Sequence, residues 1–169
     1  LLFKLNDKNR GLIMKYSNTA GLLEERLKSS RINADGAFGT YYAKIYDEGS
    51  LPEMANVSAP ARVLAIHRAY IEAGAQIIRT NTFDIDDVRN NIRCAVKIAR
   101  EACEGMGVLV AADIGPIPGE NMFDKEYIEN EYVDIVNTFK ELGVDIFVFE
   151  TFPELSFINK AIEAVGDKC

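Results

Sequence analysis

Val108-Leu109-Val110-Ala111-Ala112, followed at once by Asp113-Ile114-Gly115-Pro116, decides the fold class. A short, near-continuous apolar run of this kind suits a strand of a parallel sheet covered on both faces, and the polar turn behind it ends the strand. On its N-terminal side a helix opens near Asp86 and Asp87, places Val88, Ile92, Ala95, Val96, Ala99 and Cys103 on one stripe, and closes at Gly105. On its C-terminal side another opens near Asp124, with Ile128, Tyr132, Ile135, Phe139 and Leu142 on one face and Gly143 as cap.

The same alternation continues in both directions. Residues 76–80 form a β-branched run, residues 145–150 an apolar strand ending on a carboxylate, and residues 31–35 a weaker first strand stopped by Gly36. Pro60 suits a first helical position. Val63, Ile66, His67, Tyr70 and Ile71 then share a helical stripe that Gly74 ends. A last helix begins after Pro153, carries Leu155, Ile158, Ile162 and Val165, and stops at Gly166; residues 19–28 make one more helix ahead of the first strand. Four βα units in a row imply an α/β fold with a parallel sheet and right-handed crossovers. No GxGxxG follows the first strand, which speaks against a dinucleotide fold.

Composition narrows the function classes. The 169 residues are 48% hydrophobic and 27% charged, enough for a real core in one domain. A net charge of −7 argues against binding a phosphate backbone, and no apolar run approaches a membrane span. Three cysteines without a CxxC pair suit a reducing, cytoplasmic compartment. Residues 1–30 read as an N-terminal tail and leading helix, and residues 31–169 as the folded α/β part. Leu1 to Ile13 reads as a translated upstream tail or the cut edge of a longer chain, with Met14 heading a more ordinary segment.

The polar motifs fall together, just past the C-terminal ends of the strands: Asp35-Gly36-Ala37-Phe38-Gly39-Thr40, Thr80-Asn81-Thr82-Phe83, Asp113-Ile114-Gly115-Pro116 and Glu150-Thr151-Phe152. That edge is where a (β/α) barrel builds its active site. Asp35 and Glu150, facing each other across a mouth, would hold a cationic ammonium by charge-assisted hydrogen bonds. The plainer reading has Asp35 capping its turn and Glu150 pairing with an arginine elsewhere. Gly36 and Gly39 allow a close ligand approach; Thr80, Asn81 and Thr82 either meet a ligand or satisfy turn backbone. His67, the only histidine, lies on an apolar stripe and reads as a satisfied core residue, which removes Ser-His-Asp and Cys-His catalysis. Cys94 and Cys103 point to roughly opposite faces of one helix at about 3.6 residues per turn, and Cys169 stands last. No catalytic residue and no metal ligand is assigned. Tyr41 and Tyr42 either line the mouth or pack.

These motifs, with Ile66-His67-Arg68-Ala69-Tyr70 and Ala73-Gly74-Ala75 at suitable intervals, make the chain from about Asn33 onward resemble the N-terminal half of the homocysteine S-methyltransferase domain. Gly39-Thr40-Tyr41-Tyr42-Ala43, with Phe152-Pro153-Glu154-Leu155, resembles the bacterial bifunctional proteins that join this domain to a C-terminal methylenetetrahydrofolate reductase. The resemblance implies a (β/α)8 TIM barrel of which only the first four βα units are present, since a complete barrel takes about 250 residues. It implies methyl transfer to the zinc-activated thiolate of homocysteine, giving methionine. Asp35 and Glu150 then match carboxylates that hold the homocysteine amino group, Thr80 a polar substrate-side position, and Gly36 a backbone contact. The methyl donor stays open among methyltetrahydrofolate, a corrinoid, betaine and a sulfonium compound.

The departures are specific. Phe38 stands where the family has Met, and Asp84-Ile85 where it has Gly-Ala, adding charge and bulk near the mouth. The family's zinc ligands, a cysteine after a late strand and a consecutive cysteine pair near the last, have no counterpart here, so this chain is expected to carry the homocysteine-binding half and to be inactive alone. Its open sheet edges are expected to leave strand hydrogen bonds unpaired. Two rivals remain: an unrelated (β/α)-barrel enzyme, such as a lyase, using Asp35 and Glu150 as acid and base, and a non-catalytic half-barrel interaction module.

Overall fold

Three parallel strands, β2 (Ile77–Arg79), β3 (Leu109–Ile114) and β4 (Ile146–Phe149), lie side by side in chain order in a computed structural model that describes residues 2–5, 19–46, 51–84, 88–117, 124–153 and 155–166. Ile77 stands opposite Leu109, and Asp113 opposite Val148. Sequential neighbours joined by helical crossovers follow the strand order of a barrel wall; a doubly wound sheet would reverse direction at a switch point.

The first expected strand is shorter than its sequence suggests. Only Ala34 forms a bridge, parallel to Ile77, supported by bonds from the Asp35 N–H to the Ile77 carbonyl and from the Gln76 N–H to the Asn33 carbonyl. Arg31 and Asn33 are exposed, so little apolar surface drives this segment into the sheet. The parallel sheet therefore has three strands and a bridge rather than four full units. At the other edge, Leu2–Leu5, within the segment read as a tail, forms β1 and runs antiparallel to β4, with Leu2 opposite Phe149 and Leu5 opposite Ile146. The outer edge of β4 is thus paired, contrary to the expectation of an open one.

Helices α1 (Thr19–Ser29), α2 (Phe38–Tyr46), α3 (Ala55–Ser58) and α4 (Pro60–Glu72) precede β2, a 3-10 turn at Pro52–Met54 standing between α2 and α3. Helices α5 (Val88–Cys103), α6 (Lys125–Glu141) and α7 (Asn159–Val165) alternate with the later strands. Asp124 caps α6 by accepting from the Glu126 N–H at 2.8 Å. Asp86 and Asp87, expected to open α5, lie outside the described residues, as does Cys169. The last helix starts later than expected: residues 155–158 form a turn, and Leu155 is exposed there instead of joining the stripe of Ile158 and Val165. No described helix is long and apolar enough to cross a membrane.

Strand alternation divides the core. Ala112, Ile114, Phe147 and Phe149 face α5, α6 and α7, packing with Ile92, Val96, Ile128, Tyr132, Ile135 and Phe139. The opposite face carries Ile77, Leu109, Ala111, Ile146 and Val148, covered by Leu23 of α1 with Ile32 beside it. Two residues further along the strands, that second face turns from apolar to charged, at Arg79, Asp113 and Glu150.

Phe147 is fully buried, its ring edge-on to Phe139. Phe147→Ala should cost about 3–5 kcal/mol of unfolding free energy by the cavity it leaves. Urea denaturation reads this; a loss below about 1 kcal/mol would mean the site collapses freely.

Candidate functional site

Arg79, the last residue of β2, places its guanidinium among carboxylates from three segments. Nε donates to Asp35 Oδ1 at 2.8 Å, Nη1 pairs with Glu150 Oε2, and Nη2 donates to the Gly36 carbonyl at 2.7 Å. The Arg79 backbone N–H donates to Asp35 Oδ2 at 2.9 Å, so both oxygens of Asp35 are held. Asp113 Oδ2 lies 3.9 Å from Nη1, close enough for attraction and too far for a hydrogen bond. Burial works against the charge on Arg79, but Asp35, Asp113 and Glu150 outweigh it and keep the guanidinium ionised.

The carboxylates respond unequally. Asp35 is raised, by burial first and then by Glu150, against the pull of Arg79. Asp113 is pushed up to about 8, by burial and then by Glu150, with Asp35 and Glu53 adding and Arg79 opposing. Glu53, expected nowhere in the sequence reading, is buried and raised by desolvation; its Oε1 accepts from the Asp84 N–H, while Oε2 has no partner.

These groups line one cavity of about 300 Å³ at the C-terminal edge of the sheet. Asp35, Thr80 and Glu150 are on its wall with Arg79, Asp113, Glu53 and Asp84, and Phe38, Gly39 and Phe83 supply apolar surface. Gly36 contributes its carbonyl to Arg79, and a Cβ there would meet the Tyr70 ring at 3.1 Å. Asp84 brings charge to the mouth as expected, whereas Ile85 lies outside the described residues. Thr151, next to Glu150, has φ of 62°, a strained conformation for a β-branched residue on the rim.

Most of the Thr80 motif stabilises the loops. Thr80 Oγ1 accepts from the Asp113 N–H at 3.1 Å and bonds Thr82 Oγ1 at 2.7 Å; Thr82 Oγ1 bonds the Asp113 carbonyl at 2.7 Å. Asn81 donates to the Pro52 carbonyl and to Asn56 Oδ1, and Asn56 in turn reaches Asn91 of α5. Tyr42 is buried beside Val63 and Ile66, and Tyr41 stacks edge-on to Tyr70, so both pack.

His67 is buried as expected, yet it is not satisfied: neither ring nitrogen has a partner, and the ring sits 5.0 Å from that of Phe38. Desolvation alone lowers it to about 4, so it stays neutral. Burial pushes the Cys103 thiol up to about 12. Among the described residues no three His, Cys, Asp or Glu side chains are grouped to hold a metal. The zinc implied by the resemblance takes about three protein ligands, and the described residues bring no such group together.

Sequence reasoning missed Arg79 and Glu53, and gave Asp113, quoted in a motif at this edge, no role of its own. An arginine ending a buried strand directly before Thr80, and an aspartate ending the next, were the available signals.

Comparison with known proteins adds a family and a shape. A sequence model described as homocysteine S-methyltransferase matches residues 33–168. Solved structures of the homocysteine methyltransferase MmuM from Escherichia coli are similar: the metallated form at 22% identity and TM-score 0.69, over 85% of this chain and 62% of that one. The apo form gives 25% identity and TM-score 0.68, over 85% and 58%. The chain thus spans 58% to 62% of the length of these relatives, and at such identity the likeness speaks for the fold.

Two substitutions test this arrangement. A Cβ at Gly115 would stand 2.5 Å from the Phe83 carbonyl oxygen and 2.6 Å from its ring. Gly115→Ala should cost about 1–3 kcal/mol and displace Phe83 from the cavity wall, read by thermal melting and by crystallography of the variant. For His67 the folded pKa lies below the ordinary 6.5, so the unfolded chain takes up the proton first and stability falls as pH drops from 6.5 to about 4. His67→Leu should lose less stability than the native protein across that window, by up to about 3 kcal/mol. Equal acid limbs in urea titrations at both pH values would contradict it.

Proposed function

Because the chain belongs to the homocysteine S-methyltransferase family, we propose that its cavity binds homocysteine for transfer of a methyl group to the homocysteine sulfur, giving methionine. One observation carries this: Asp35 and Glu150 share a single guanidinium with the Asp113 carboxyl beside them, so the cavity has more acidic groups than basic ones. A primary ammonium complements such a site by charge-assisted hydrogen bonds.

In this reading Asp35 and Glu150 hold the amino group. Glu150 engages Arg79 through Oε2, its side chain is 23% exposed toward the cavity, and Oε1 is not taken by a described residue. Each oxygen of Asp35 accepts one bond from Arg79 and retains a second lone pair. Arg79 fixes the two carboxylates before the ligand arrives. Gly36 contributes backbone beside the amino acid, and Thr80 supports the wall through Asp113. The contribution of these residues is recognition of the amino-acid end; activation of the thiol falls to groups other than the described ones, which by themselves carry no methyl transfer. A general acid-base role for Asp35 and Glu150 sits poorly with Arg79, which already holds both oxygens of Asp35.

The finer reading makes the donor methyltetrahydrofolate or a corrinoid, with zinc binding the substrate sulfur in the complete domain. It places the domain in a bifunctional protein with a methylenetetrahydrofolate reductase. The sequences Gly39-Thr40-Tyr41-Tyr42-Ala43 and Phe152-Pro153-Glu154-Leu155 support it.

Calorimetric titration with homocysteine tests the proposal. Glu150→Gln keeps the shape and removes the charge, and should weaken binding about ten- to a hundredfold, as expected for a hydrogen bond to a charged group. Unchanged affinity in a variant with a normal melting curve, or no binding by the native chain, would overturn it.

A further inference from the structure

We propose that Asp113 is a third carboxylate contact for the ligand's ammonium group, and that the ammonium enters the cavity in exchange for a proton that leaves Asp113 for solvent. This rests on the reading of the cavity as a homocysteine site, and adds to it a residue and a proton.

Asp113 is held rigidly and yet left without a partner where it matters. Its backbone is fixed on both sides, the N–H donating to Thr80 Oγ1 and the carbonyl accepting from Thr82 Oγ1. Its side chain is only 9% exposed, lies on the cavity wall, and presents an Oδ1 that is buried with no hydrogen-bond partner. Arg79 does not satisfy it. The guanidinium has already given Nε to Asp35, Nη1 to Glu150 and Nη2 to the Gly36 carbonyl, and it approaches Asp113 no closer than 3.9 Å.

The charged and titratable groups facing Asp113 are Arg79 from β2, Glu150 after β4, Asp35 before α2 and Glu53 of the 3-10 turn. Three of the four are acidic. An ionised carboxylate buried among them without a donor is costly, so Asp113 holds a proton in the free protein at neutral pH, in line with its elevation to about 8. The Asp113 end of the cavity therefore has an acceptor to which no described donor is directed. Glu53 Oε2 is a second buried oxygen on the same wall with no partner.

An ammonium supplies what is missing: a positive charge and three N–H donors. One reaches Asp113 Oδ1, another Glu150 Oε1 and the third Asp35. Its charge favours the ionised form of Asp113, and the displaced proton passes to buffer. The opposite arrangement, in which a protonated Asp113 donates to a carboxylate of the ligand, would release no proton.

Calorimetry of the chain with L-homocysteine in phosphate and in Tris separates these cases, because the two buffers differ in ionisation enthalpy. Near pH 7 about one proton should be released per ligand bound. Affinity should rise about tenfold per pH unit from pH 6 and level off near 8. L-homoserine, which keeps the ammonium and lacks the thiol, should show the same release, so thiol ionisation is not its source. Asp113→Asn is neutral and isosteric with the protonated acid. It should abolish both the buffer dependence and the pH slope, and weaken binding at least tenfold above pH 8. Homocysteine binding with no buffer-dependent heat, with proton uptake, or with the same pH profile in the Asn variant overturns the role of Asp113 and leaves the homocysteine site standing. No homocysteine binding by the native chain overturns both. Should the Asn variant fail to fold, the buffer dependence of the native chain still decides.

Discussion

The guanidinium of Arg79 stands where the ends of the sheet deliver carboxylates, and much of the mouth takes its shape from that contact. Its planar fork serves Asp35, Glu150 and the Gly36 carbonyl at once, which a lysine ammonium on a flexible stem would not do in fixed geometry. Residues 31–35 join the sheet through a single bridge at Ala34, so the ion pair to Asp35 supplies the anchorage that a longer strand would have given. Removing the arginine would strand buried carboxylates, a change that typically costs about 3–5 kcal/mol.

One face of the sheet does two jobs. Near the N-terminal ends of the strands Ile77, Leu109, Ala111, Ile146 and Val148 form an apolar layer, closed by Leu23 of α1. Further along, Arg79, Asp113 and Glu150 continue the same alternation as charged groups. The apolar layer keeps water from the lower part of the face, and the resulting burial is the largest cause of the raised Asp113. The helix-covered face carries the main core, so the site draws its rigidity from packing it does not share.

The loops at the mouth are tied by polar bonds as well as by apolar contact, Phe152 packing edge-on to Tyr132 and Phe149. Asn81, Asn56 and Asn91 link the strand end, α3 and α5, and Thr80 and Thr82 clasp the backbone of Asp113. Gly115 lies so close to Phe83 that no side chain fits between them. Thr151 keeps a left-handed conformation next to Glu150. Such a constellation holds the carboxylates in place before any ligand binds, the condition under which electrostatic recognition loses least to reorganisation.

Local pattern alone determined the strand–helix alternation, the core stripes of α4, α5 and α6, the cap at Asp124 and the gathering of polar motifs at one edge, because periodicity and capping are properties of neighbouring residues. The family was legible in ordered motifs for the same reason. What the pattern could not show was pairing at a distance. The antiparallel addition of Leu2–Leu5 to β4 joins residues from opposite ends of the chain, and the shortening of the first strand to one bridge reflects how little apolar surface it brings. Glu150 meeting Arg79, Asp113 left without a donor, and His67 buried without a partner were decided by tertiary structure. Charge balance and desolvation depend on which groups fold to within a few ångströms of one another, and no single segment carries that information.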